Sequence, residues 1–353
     1  MSKLFYKEKA IIGLDISQTG VKVMAIDPKH WLVLGYGSLD LDPARVQGSL
    51  DNPEDTYLSE SIKGLLKQNI VGTLNSNHVI VGLPTSRTFS RTFTIPASQV
   101  SHIADAVEIE VDQYIPIPLS SLYLDYEVIE KDKNNATIIM SAVPKTLVDS
   151  CTAAARSAGL TPIAAEPSIN AVARVLRATE DGHLVTLIVD IGAASTDIAV
   201  LDRGFIRVTG SVNIGGNTLT LDIAKKMDVA LENAHQFKVL NGLNAGPRQA
   251  KITSALKPSL DRIASEIRKV IRYYNERLVD DRKIEQILIV GGGANLPGIG
   301  EYYTNELVMP ARVASPWQSL NFGKLPEPNK QFRSRYITVT GLASVKPGEV
   351  WDS

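Results

Sequence analysis

Two stretches of the chain begin in nearly the same way: IIGLDISQTGVKVMAID at residues 11–27 and LIVDIGAASTDIAVLDR at residues 187–203. Each reads as an apolar strand ending in aspartate, a turn of small and hydroxylic residues, and a second apolar strand. The repetition implies two related halves. A third stretch, ILIVGGGANLPGI at residues 287–299, sets three glycines directly after a buried-type strand. Glycine and other small residues after a strand let backbone N–H groups face phosphate oxygens with no side chain in the way. Two such hairpins facing each other, with one glycine-rich loop further on, would grip a nucleotide triphosphate and its metal.

The first turn supplies Ser17, Gln18, Thr19 and Gly20, and the second Gly192, Ala193, Ala194, Ser195 and Thr196. Asp15 and Asp190 end their strands where they could hold a hydrated magnesium, which keeps several waters and takes few carboxylates. Lys22, just past the first turn, offers a positive charge to the site or is an ordinary surface lysine. Gly291, Gly292 and Gly293 suit close approach of a base or an α-phosphate before a helix start near Ala294. Gly215 and Gly216 precede a helix expected over residues 218–227.

At 353 residues the chain can bury a large core and form more than one domain. A formal net charge of −1 provides no overall field for nucleic acid or an anionic membrane. No apolar run approaches the ~20 residues that span a bilayer, and the N-terminus lacks a signal-peptide core. The single cysteine, Cys151, excludes an internal disulfide and fits a reducing cytosol. Lys3, Phe5, Tyr6, Lys7 and Lys9 could touch a membrane surface or simply fray.

Along the chain, strands at 10–14, 21–26 and 30–36 form an expected meander, followed by a helix over 53–68 and a strand over 78–83. Residues 88–165 then read as strand, helix, strand, strand, helix, strand, a ferredoxin-like unit inserted in a larger domain. Within it, YIPIPLSSLYLDY at 114–126 suits a sheet edge open to a partner peptide or a connecting loop. Apolar residues at helical spacing from Leu260 to Leu278 predict a long helix, and a shorter one is expected over 336–345.

The order of these motifs resembles the actin-like ATPase superfamily, across almost the whole chain. Within it the chain is similar to the PilM group of type IV pilus assembly proteins, on QYIPIPL, AGLTPIAAEPSINAVAR, NIGGNTLTLDIAKKM, SEIRKVIRYYNE and VGGGANLPGIGEYY. The resemblance implies an α/β, ribonuclease H-like duplicated core with an inserted 1C-type subdomain. It assigns residues 1–87, 164–183 and about 330–353 to subdomain 1A, and 88–163 to the insert. Residues 184–217 and 275–329 fall to subdomain 2A, and 218–274 to 2B. It implies ATP and magnesium as cofactors, with Lys238 of ENAHQFK approaching adenosine. Two positions depart from the pattern: Ser17 stands where glycine is usual, and His235 where glutamate is usual.

Glu166 resembles the water-activating acid of more distant relatives, or is an acid that satisfies a helix N-terminus. The resemblance points to a cytoplasmic scaffold with at most slow ATPase activity. Its implied partner is the cytoplasmic N-terminal peptide of a PilN-like inner-membrane protein. That peptide would sit in a groove against residues 88–95, 98–114 and 116–118. The pilus motor ATPase and a second copy of the chain are further candidates, with membrane contact only through partners. The competing expectations are a filament-forming, FtsA-like division protein and a small-molecule kinase or phosphatase on the same core. The short C-terminus, without an amphipathic tail helix, favours the pilus group over the division protein.

Overall fold

A computed structural model of the chain describes residues 11–180, 182–277, 282–346, 348 and 350. Lys3, Phe5, Tyr6, Lys7, Lys9, Ala10 and Leu278 lie outside the described residues, as does most of the short C-terminus, GEVWDS.

The elements run in chain order as follows. The first half opens with β1 (Ile12–Ser17), β2 (Gly20–Asp27) and β3 (Leu32–Asp40), then α1 (Pro43–Asp51), α2 (Tyr57–Gln68), β4 (Ile70–Gly72) and β5 (His78–Leu83). An insert follows: β6 (Phe89–Pro96), α3 (Ile103–Tyr114), β7 (Leu122–Lys131) and β8 (Asn135–Pro144). The chain returns through α4 (Lys145–Ser157), β9 (Thr161–Pro167) and α5 (Ser168–Thr179). The second half contains β10 (Thr186–Ile191), β11 (Thr196–Asp202), β12 (Phe205–Val212), α6 (Gly216–Met227), α7 (Leu231–Leu240) and α8 (Gln249–Arg277). It continues with β13 (Gln286–Val290), α9 (Ile299–Leu307) and β14 (Ala311–Val313), and α10 (Ile337–Ala343) follows.

The duplication is visible in the topology. The first sheet is ordered β4-β3-β2-β1-β5-β9, and the second carries the matching run β12-β11-β10-β13-β14. In both, an antiparallel meander leads to a first strand that pairs in parallel with a later one. Even the register shifts correspond, falling after Ala25 in one meander and after Val200 in the other. β1 and β10 are apolar at nearly every position because each sheet is covered on both faces, as expected for strands in the middle of a mixed sheet.

α5 lies between the sheets. Ile169, Val172 and Leu176 pack on Ile188, Leu201 and Leu288 of the second sheet. Ala171 turns instead towards Ile80 of the first sheet, Ile11 just before β1, and Leu342 of α10. Close approach is enforced by glycine: a Cβ on Gly341 of α10 would come within 2.0 Å of the Ala171 carbonyl oxygen.

The insert differs from the six-element unit expected over 88–165. Its sheet has three strands, β6-β8-β7, and β6 continues the second sheet by pairing with β12. β9 pairs in parallel with β5 in the first sheet. Leu147, Cys151, Ala154 and Ala155 of α4 are buried among Ile12, Leu14, Ile62 and Val81 of the first core. The ferredoxin-like reading is therefore corrected, because α4 and β9 bury their apolar faces on the first half. The first helix of the insert is preceded by a 3₁₀ stretch, Ala97–His102, and the expected helix over 53–68 begins only at Tyr57.

Candidate functional site

The two aspartate hairpins meet across a cleft of about 760 Å³ between the halves, within the range of small-ligand sites. In the first hairpin Asp15 faces Lys22 across the ladder. Its Oδ2 accepts from Lys22 Nζ at 2.8 Å, and Oδ1 from Ser168 Oγ at 3.3 Å. In the second hairpin the position corresponding to Lys22 is Asp197, directly opposite Asp190. One hairpin thus neutralises its aspartate and the other doubles the acid. Burial, together with Asp197 and Asp15, pushes the Asp190 carboxyl up to about 7. Burial pushes Asp197 up to about 6, against hydrogen bonds from Ser211 and Thr85 that favour its ionised form. Ser211 Oγ donates to Asp197 Oδ1 at 2.7 Å.

The turns are closed by local hydrogen bonds. Ser17 Oγ donates to the Gly20 carbonyl at 2.9 Å, and Gln18 Nε2 donates to Ser86 Oγ at 3.0 Å. Ser17 is not among the residues of positive φ, so a serine strains nothing where glycine is usual. The Gly192 N–H donates to Ser195 O at 2.9 Å, and the N–H groups of Gly216 and Asn217 reach back to Gly192 O and Ala193 O, both at 2.9 Å. The start of α6 is thereby fastened to the second turn. Gly291 has φ +82°, and a Cβ there would meet Asp190 Oδ1 at 2.2 Å. The glycine loop therefore rests directly on the aspartate.

The far end of the cleft is basic. Lys238 Nζ donates to Gly216 O and Thr220 Oγ1, both at 2.7 Å. Burial, then the charge of Arg335, brings Lys238 down to about 8. Burial and the charges of Lys238 and Arg335 also lower His235, which favours its neutral form. The Arg335 guanidinium lies 5.0 Å from the Phe332 ring centroid and 3.5 Å from Asp40 Oδ1. Asn295 Nδ2 donates to Gln331 O and Ser334 Oγ at 3.0 Å, tying the glycine loop to the segment before α10. An acidic floor at one end and cations at the other suit an elongated ligand bearing phosphates and a cation.

The cleft brings together Asp15, Ser17, Gln18, Thr19, Gly20, Lys22, Asp190, Gly192, Ala193, Ala194, Ser195, Gly216, Lys238, Gly291, Gly292 and Gly293. Two expected residues sit elsewhere. Thr196 is fully buried with its hydroxyl on Ile214 O at 2.7 Å, and Gly215 packs beneath Ala193 and outside the lining. Glu166 is likewise outside the lining. It lies near the end of β9, and Arg174 grips both its carboxylate oxygens at 2.8 Å while also reaching Gly341 O. The carboxylate is committed to holding β9, α5 and α10 together. Glu166→Ala is expected to lower stability by roughly 1–2 kcal/mol in urea denaturation.

Sequence reading missed Asp197, Thr85, Ser168 and Arg335. Asp197 was visible as a second acid one residue past Thr196. The segment carrying Arg335 has no motif to mark it.

A duplicated five-strand sheet of one topology in each half, with paired aspartate hairpins and a glycine loop at the cleft between them, defines an actin-like ATPase fold. The chain belongs to the family described as Type IV pilus assembly protein PilM, whose profile matches residues 13–345. It is similar to the solved PilM-PilN type IV pilus biogenesis complex, at 22% identity and a TM-score of 0.77, over 95% of this chain and 98% of that one. MreB5 of Spiroplasma citri bound to ADP shares the fold at 14% identity and a TM-score of 0.50, over 95% of each chain. Cell division protein FtsA of Borreliella burgdorferi is 26% identical over 165 residues, 41% of this chain. The match spans only about two-fifths (40%) of that relative's length.

Proposed function

We propose that this pilus assembly protein is a nucleotide-stabilised adaptor that clamps ATP with magnesium between its halves and docks a short peptide from a PilN-like membrane protein. The observation that carries the nucleotide reading is the convergence of both aspartate hairpins and the glycine loop on one cleft. The donor set fits. Glycines stand where any side chain would collide with the Asp190 strand, and the crowded carboxylates of Asp190 and Asp197 would be relieved by a cation. Among the described residues no three acidic, histidine or cysteine side chains are spaced to cage a metal. Magnesium would therefore be held by Asp15 and Asp190 through water, supplying charge neutralisation to the phosphates. Lys238 would meet the adenosine end. With Glu166 taken up by Arg174, the reading favours a bound nucleotide over fast turnover.

The peptide reading rests on family membership and on the insert. β7 is the outer strand of its sheet, with its second edge unpaired among the described residues. Ile109, Tyr114, Tyr123 and Tyr126 are exposed on α3 and β7. An open edge beside exposed aromatics suits strand addition by an extended peptide. The motor ATPase of the pilus and a second copy of the chain are further candidate partners. Among the described residues no helix is long and apolar enough to cross a membrane. Attachment at the cytoplasmic face of the inner membrane would run through partners.

MgATP at a hundredfold excess over its Kd should add about 2.7 kcal/mol of stability, read as a rise of several degrees in Tm. A flat melting curve across MgATP concentrations would remove the nucleotide reading. The peptide reading fails if the N-terminal cytoplasmic peptide of the PilN-like protein gives no calorimetric signal, with or without MgATP.

A further inference from the structure

The link between β5 and β6 touches both walls of the cleft before it becomes the first strand of the insert. Thr85, 3% exposed, accepts the Ile169 N–H on its Oγ1 at 3.0 Å and hydrogen bonds to Asp197. One residue later, Ser86 Oγ accepts from Gln18 Nε2 at 3.0 Å. The Thr88 N–H and hydroxyl both donate to Thr85 O, at 2.9 and 3.0 Å, so residues 85–88 form a tight single turn. Gln18 belongs to the first aspartate hairpin and Asp197 to the second. The two hairpins therefore meet on adjacent residues of one short connector.

Downstream, the insert is also joined to the second half. β6 meets β12 at the single pair Val208–Arg91, and Thr209 Oγ1 donates to Ser90 O at 3.3 Å. Arg207, almost fully buried, and Arg203 both bind Glu130 of β7. Within the insert, by contrast, β6 and β8 pair along their whole length from Phe89 to Pro96. The insert is thus stiff inside and held from two sides: by the first half, through the connector and through the β8–α4 junction where the Tyr123 hydroxyl donates to Asp149, and by β12 of the second. A change in the angle between the halves must be taken up at one or more of these attachments, of which the connector alone touches both aspartate hairpins.

We propose that Thr85 and Ser86 form a relay that reports the occupancy of the cleft to the insert, so that nucleotide and partner peptide alter each other's affinity. This rests on the nucleotide and docking readings above. A cation near Asp197 draws its charge away from the Thr85 hydroxyl, and a phosphate at the first turn competes with Ser86 for Gln18. Either event changes the pull on the connector, and β6 is its direct continuation. Coupling of this kind is reciprocal by thermodynamic necessity.

The test uses the full chain and hydrogen exchange with and without saturating MgATP. The expected result is a change of threefold or more in exchange at amides of β6 and α3 in the wild type. That change should be absent in Thr85→Val and present again in Thr85→Ser, which keeps the hydroxyl. In calorimetry, MgATP should shift the Kd of the partner peptide about fivefold in the wild type and leave it unchanged in Thr85→Val. An insert whose exchange ignores bound MgATP overturns the relay, and so does a Thr85→Val protein that keeps the response. Should Thr85→Val fail to fold, Ser86→Ala decides, and a full wild-type response in it overturns the relay. A peptide that binds in no state removes the docking reading, while the exchange response still decides the relay. Absence of MgATP binding removes the nucleotide reading and the relay together.

Discussion

Gly341→Ala is expected to cost about 3 kcal/mol, at the upper end of what overpacking usually costs. The added methyl carbon would stand 2.0 Å from the Ala171 carbonyl oxygen and 2.5 Å from its carbon. Both are backbone atoms of α5, so no rotamer change can relieve the collision. α10 has little room to retreat in the other direction, because β1 packs so close that a Cβ on Gly13 would stand 2.5 Å from Val339 O and 2.8 Å from the Ala343 nitrogen. The helix is wedged between a strand and another helix, and interiors packed at crystal-like density transmit such a push. The substitution should lower the denaturant midpoint with little change in slope. It should also blunt stabilisation by MgATP, since α5 carries Ser168 against Asp15 and the segment before α10 carries Arg335. A midpoint within experimental error of the wild type would show that the helices can part cheaply.

Asp190→Asn should stabilise the nucleotide-free protein at pH 8 while removing its response to MgATP. A carboxyl raised to about 7 in the folded chain holds its proton more tightly there than in the unfolded chain, where it titrates near 4. Its contribution to stability is complete below the unfolded value and is lost as pH rises through the folded one. The window is therefore about pH 4 to 7, with the full penalty present at pH 8. Asp190 lines the open cleft, and water there screens part of the cost. A gain of roughly 1–2 kcal/mol for Asn at pH 8 is expected after that discount. Near pH 5 the two proteins should be close to equal. Urea denaturation at pH 5, 6, 7 and 8 measures the difference, and parallel curves would refute the raised carboxyl. On the proposed nucleotide reading, the aspartate is a group retained against stability because the ligand needs its charge.

The duplicated core was legible because its signals are local. An apolar run, an aspartate and a tight turn all lie within one hairpin, and antiparallel neighbours find their register through that turn. The glycine loop was legible for the same reason, and Gly291 does occupy a backbone conformation that favours glycine. What was hidden depends on distant partners. Nothing in residues 146–165 tells whether their apolar faces cover the insert or the first sheet. That choice is made by parallel pairing of β9 with β5 across the whole insertion. The pairing of Glu166 was hidden because its partner Arg174 lies about two turns into a helix that the sequence shows only as amphipathic. Arg335 and Phe332 reach the cleft from a loop-rich return whose order comes from Tyr36, Trp317, Phe322 and Tyr336 packing edge to face and in stacks. Aromatic clusters of this kind have no fixed spacing. Ser17 and His235, by contrast, were visible as departures but not in their effect. The Ser17 hydroxyl closes its own turn, and His235 lines the cleft beside Lys238.

The order in which the chain visits its two halves bears on its synthesis. β1, β2 and β5 leave the ribosome early, but the helix that covers Gly13, Met24 and Ile80 is made from residues 337–343. Until that stretch emerges, the nascent first sheet carries a bare apolar face, a period in which aggregation competes with folding. The second half can bury most of its own core before then, through α8 lying on β11 and β12. Translation would therefore complete the later half first and seal the earlier one last. A premature stop before residue 337 would spoil the oldest part of the protein.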